Sequence, residues 1–141
     1  APLEAFLEPD TVRAIYTTGH PDLSKISPDN WNTDLFFLAR PNAHRVQLDL
    51  FYDYRTNAAL YETWQAGLRE RRPLTLIFWG QGDIFFTPEG GEAYLRDLPD
   101  AELIRLDSGH FAVEDNLEAI TERIVGFYDE KVVTALQASV A

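Results

Sequence analysis

Not one cysteine occurs among the 141 residues, so no disulfide staples this fold and no thiolate binds a metal. A reducing compartment suits such a chain, and the cytoplasm is the expected location. Methionine is equally absent, and the opening Ala1 is expected to be a boundary rather than a natural translation start. No apolar run approaches ~18 residues and no charged-then-apolar leader opens the chain, so neither membrane spanning nor export is expected. Basic residues are scarce, 12 against 23 acidic ones, for a formal charge of -11. A surface of that sign repels nucleic acid and anionic membranes, and neither is expected as a partner. The short Arg69, Arg71, Arg72 cluster falls at a predicted helix end, where cations complement the dipole. What the chain has in quantity is apolar and aromatic mass, 45% and 13%, enough for a substantial core and against disorder. There is no internal repeat, low-complexity tract or flexible linker.

The first half reads as helices. Pro9 to Thr18 has a proline near its start and Gly19 after its end, with Val12, Ile15 and Tyr16 on one face. Ser27-Pro28 opens a second helix in the order cap then first-turn proline, and Pro41 closes it. A third is predicted from about Asn42 through Tyr54, and a fourth from Asn57 to Arg71. From Pro73 the pattern alternates strand, helix, strand, helix, ending in a long amphipathic helix with the stripe Leu117, Ile120, Ile124 and Phe127. The composition shift places a boundary between residues 1–72 and 73–141.

Two runs in the second half carry chemistry. Leu74-Thr-Leu-Ile-Phe-Trp-Gly-Gln-Gly-Asp83 is an uncharged strand, expected to be covered on both faces, that ends in a tight turn and delivers Asp83. Glu102-Leu-Ile-Arg-Leu-Asp-Ser-Gly-His110 is a second strand whose Ser-Gly turn delivers His110. With the helix over 87–98 between them they form a βαβ unit, which makes the strand ends neighbours. Alone, Asp83 reads as an ordinary turn residue and His110 as a loop histidine. Together they read as an acid orienting a base. His20, before a proline in a turn, and His44, in a first helical turn, are expected on the surface. No histidine pair has metal-ligand spacing, and no metal or other cofactor is expected. Gly90-Gly91 lacks the preceding strand and the lysine of a phosphate loop. Trp31, Trp64 and Trp79 read first as packing residues.

Trp79-Gly80-x-x-Asp83 after one strand and Gly109-His110-Phe111 after the next resemble the acid and base loops of the α/β-hydrolase superfamily, in the capped branch of epoxide hydrolases and haloalkane dehalogenases. The resemblance extends to Asp97-Leu-Pro-Asp-Ala101, to Gly109-His-Phe-Ala-Val-Glu114 and to Gln47-Leu-Asp-Leu-Phe-Tyr-Asp-Tyr-Arg-Thr-Asn57. It implies an α/β fold in which a helical cap segment, 1–72, is followed by the last two parallel strands and helices of the sheet, 73–141: an incomplete fold. It implies catalytic roles for Asp83 and His110, substrate contacts from Tyr52, Tyr54 and Phe111, and support of the base loop by Glu114. For Glu114 the alternative is a carboxylate placed only by the dipole of the last helix; for the tyrosines it is core packing.

The family's glycine-flanked nucleophile elbow is missing, since neither Gly-x-Ser-x-Gly nor Gly-x-Asp-x-Gly occurs. Family order is nucleophile, acid, base, so the resemblance places the nucleophile ahead of residue 1. The expectation is the C-terminal part of a hydrolase of a small, mostly apolar epoxide, halide or ester, acting through a covalent intermediate and inactive alone. A serine-nucleophile esterase fragment is the alternative within the enzymes, and a non-catalytic binding or association module the alternative outside them. Two strands leave an unpaired edge, so the expected partner is the missing N-terminal half of the fold, in cis or in trans, or a second copy.

Overall fold

A computed structural model describes residues 2–140. A 3-10 turn, Pro2–Leu7, leads into α1, Pro9–Thr17. Ser27 then caps α2, Pro28–Leu38, by accepting the amide of Asp29 at 3.3 Å, with Pro28 in the first turn where its missing N–H costs nothing. Next come α3, Ala43–Asp53, and α4, Tyr61–Arg71, which Arg72 ends in the left-handed conformation at φ 41° just before Pro73. Strand β1, Leu76–Gly80, helix α5, Pro88–Asp97, and strand β2, Glu102–Leu106, form the βαβ unit. Helix α6, Val113–Phe127, a π-helical stretch, Tyr128–Val133, and α7, Thr134–Val140, complete the chain.

The strands pair in parallel, from Leu76 opposite Glu102 to Gly80 opposite Leu106. Parallel pairing puts both C-terminal ends on one edge, and the loops carrying Asp83 and His110 leave from there. The amides of Gln81 and Gly82 donate to the carbonyls of Leu106 and Ser108 at 2.9 and 2.8 Å, so pairing continues beyond the strands and fixes one loop against the other. Helices throughout and two parallel strands make this a mixed α/β structure. Among the described residues no helix is long and apolar enough to cross a membrane.

Several elements differ from the sequence reading. The fourth helix starts at Tyr61, because Tyr54–Leu60 is a 3-10 segment whose residues Arg55 and Thr56 bond back three residues, to the carbonyls of Tyr52 and Asp53. The final helix is not continuous: Asn116, at φ -125° and ψ 22°, kinks α6, and the π-helical stretch separates it from α7. Along the predicted stripe, Ile120 is buried while Leu117 and Ile124 are exposed. Nor is β1 covered on both faces, since Leu76 to Trp79 are only half-buried. The buried apolar set is small: Leu7, Val12, Ile26, Leu98, Leu106 and Ile120. These residues are spread over the first turns, the crossover and α6.

Candidate active site

Asp83 and His110 meet at the strand ends. The ring Nδ1 of His110 lies 2.9 Å from Oδ2 of Asp83. The other carboxylate oxygen accepts the amides of Phe85 and Phe86, at 2.8 and 3.0 Å. Burial works against the charge of Asp83, but the amide of Phe86, the His110 ring and the amide of Phe85 outweigh it and hold its pKa below the usual carboxylate value. An ionised acceptor at Nδ1 places the ring proton there and leaves Nε2 with its lone pair, the tautomer of a general base. The acid is buried. His110 is partly open, with 24% of its side chain accessible, so its ring can exchange protons with solvent.

Aromatic rings surround the imidazole. Phe85 and Phe86, whose amides also hold Asp83, have centroids 5.3 and 5.4 Å from that of His110, and Phe111 stands edge-on at 4.9 Å. Trp79 fixes this wall by donating its indole N–H to the carbonyl of Phe86 at 2.8 Å. Phe111 stacks on Tyr16 at 4.3 Å and is also part of a cleft of about 350 Å³ lined by Phe6, Val12, Ile15, Tyr16 and Phe37. One polar pair lies in that cleft, the Tyr16 hydroxyl donating to Asp34 Oδ2 at 2.7 Å. Burial, and then the hydrogen bond to Asp34, push the phenol pKa up, so Tyr16 stays a neutral donor.

Of the predicted substrate contacts, Phe111 borders both His110 and the cleft. Tyr52 and Tyr54 do not line that cleft. Tyr52 is 65% exposed and lies under the Arg55 guanidinium at 3.6 Å, and Tyr54 bonds to Tyr61, whose phenol pKa is raised by that bond. Glu114 is exposed at the head of α6 and reaches the base loop only by its backbone amide, which donates to the Phe111 carbonyl at 2.9 Å, while the side chain beside it reaches Ser108. Asp115 accepts the Ser108 hydroxyl at 2.6 Å and the His20 ring Nδ1 at 2.8 Å. His44 is on the surface as expected. His20 corrects its expectation, because its side chain is wholly buried. A Gly-His-Pro turn gives no sign of that; the partner is 95 residues away. Tyr16 and Asp34 were also missed, being indistinguishable in the sequence from an apolar-face aromatic and a solvated helix carboxylate. Among the described residues no three histidine, aspartate or glutamate side chains are grouped to hold a metal ion.

No family model matches the chain. It is 33% identical over 123 residues to the Uncharacterized hydrolase YNR064C of Saccharomyces cerevisiae, an alignment that takes in 87% of this chain and 42% of the yeast protein. The chain thus spans less than half the length of that relative. The relative is named a hydrolase.

Proposed function

We propose that this chain supplies the acid and base of an α/β-hydrolase of the capped epoxide hydrolase and haloalkane dehalogenase-like branch, with residues 1–72 as cap segment and 73–141 as the end of the core. The single observation that carries the reading is the 2.9 Å contact between His110 Nδ1 and Asp83 at neighbouring parallel strand ends. The aromatic wall around the ring favours a small, mostly apolar substrate, and the hydrolase name of the yeast relative favours the reaction class. In this reading the nucleophile and the remaining strands come from polypeptide outside these residues, and the chain alone does not turn over.

An aspartate nucleophile displaces a halide or opens an epoxide, forming an ester. His110, its proton fixed on Nδ1 by Asp83, then takes a proton from water at Nε2 as that water attacks the ester. The test uses the protein completed by its upstream half. His110→Gln removes the base and retains much of the volume. Mass spectrometry after exposure to a haloalkane or epoxide should then show the protein heavier by the substrate-derived group, with hydrolysis lost. An unmodified His110→Gln protein favours a serine nucleophile, which needs the same histidine before any bond can form. Undiminished turnover would overturn the reading.

A further inference from the structure

Behind the Asp83–His110 pair lies a second histidine and carboxylate, and the mechanism above makes no use of it. His20 and Asp115 have side chains 0% and 3% exposed, and Ser108 is fully buried between them and the base loop. Asp115 is the hub. It accepts from His20 Nδ1 at 2.8 Å, from the Ser108 hydroxyl at 2.6 Å and from the Asn116 side-chain amide at 2.7 Å. Burial disfavours its charge, but the bonds from Ser108, His20 and Asn116 outweigh that and keep it ionised. The kink of α6 falls at Asn116, the residue beside this hub.

The backbone around His20 is wedged against both loops. A side chain on Gly109 would meet the carbonyl of Thr18 and the His20 ring itself, at 2.6 Å from Cδ2 and 2.7 Å from Nε2. Gly19, at φ 82°, packs its backbone directly on that of Gly82, next to Asp83. The segment 18–20 therefore touches the residue before the acid and the residue before the base. His20 Nε2 is buried and has no hydrogen-bond partner. A buried histidine with one nitrogen unsatisfied costs stability that a leucine would not, and its remaining nitrogen, Nδ1, faces Asp115 and, at 3.3 Å, the Ser108 hydroxyl.

We propose that His20 is a positioning residue for the Asp83–His110 pair: through Asp115 and Ser108 it pins the base loop, so that the bond between Asp83 and His110 depends on it. This deepens the hydrolase reading and rests on it for its catalytic meaning. The test reads the bond itself, so its outcome is separate from whether turnover is found. In the chain as it stands, the His110 Nδ1 proton is observed by NMR together with exchange of the Gly82 amide, which donates to Ser108. His20→Leu keeps bulk and removes the donor to Asp115. The expected result is loss of the His110 proton signal and Gly82 exchange faster by about tenfold, the scale of one net hydrogen bond, while amides of α4 keep their protection. His20→Asn, which can still donate to Asp115, should restore both. If His20→Leu does not fold, Ser108→Ala decides by the same two readouts. An unchanged proton signal, or a uniform loss of protection across α4 and the base loop alike, would overturn the proposal.

Discussion

Asp83 takes two backbone amides on one oxygen and the imidazole on the other, and its pKa falls below its ordinary value despite burial. The sign of the consequence follows. A carboxylate whose folded pKa is depressed stabilises the fold fully above its unfolded pKa, and that stabilisation is lost as pH falls through the folded value. Asp115 adds a second contribution of the same sign. Replacing Asp83 by Asn keeps an oxygen for the amides but removes one of the carboxylates whose pKa is depressed. Denaturant titrations between roughly pH 3 and 7 should therefore show a shallower acid limb for Asp83→Asn than for the parent; superimposable limbs would show that Asp83 carries no such linkage. The residues that dominate this site differed in how far the sequence revealed them. Asp83 follows an uncharged strand run, and His110 follows a second strand through a Ser-Gly turn, so each stands where a strand-ending loop begins. His20 and Asp115 stand in polar surroundings, and only a contact across 95 positions sets them apart.

At the scale of elements, most boundaries follow from local chemistry, such as the Ser27-Pro28 start of α2 and the Pro73 break after α4. The exceptions were set by interactions without a sequence period: back-bonding of Arg55 and Thr56 beyond α3, and the kink at Asn116. Helix packing offers a matched test. On α5, a Cβ at Gly91 would lie 2.7 Å from Cδ2 and 2.9 Å from Cγ of Trp79, and that indole cannot retreat easily because its N–H is bonded to Phe86. On α4, nothing lies within 4 Å of a Cβ at Gly67. Alanine helps a helix interior by up to ~1 kcal/mol over glycine, while overpacking costs ~1–3 kcal/mol. Thermal melts should show Gly67→Ala stabilised and Gly91→Ala destabilised. A gain in both would mean that the contact between α5 and β1 is loose.

At the scale of the whole molecule, the accessible surface is 9956 Å². A compact monomer of 16.1 kDa exposes about 7,400 Å², so the excess is about 2,500 Å². Total burial of 2,000 Å² or more is typical of obligate interfaces. Leu50, Leu74, Ile84, Leu117 and Val125 each leave more than half of their surface in water, and β1 is only half-buried. Apolar exposure on this scale drives association, while a formal charge of -11 on every copy opposes it. Screening removes the opposing part alone, since apolar burial does not weaken with added salt. Sedimentation velocity of the isolated chain should accordingly reveal dimers or larger species, and their fraction should rise with salt at constant protein concentration. Association that weakens with salt would point to charge pairing as its source. A cooperative monomer at every salt concentration would show that this surface needs no partner, and would remove the main physical support for an outside polypeptide completing the sheet.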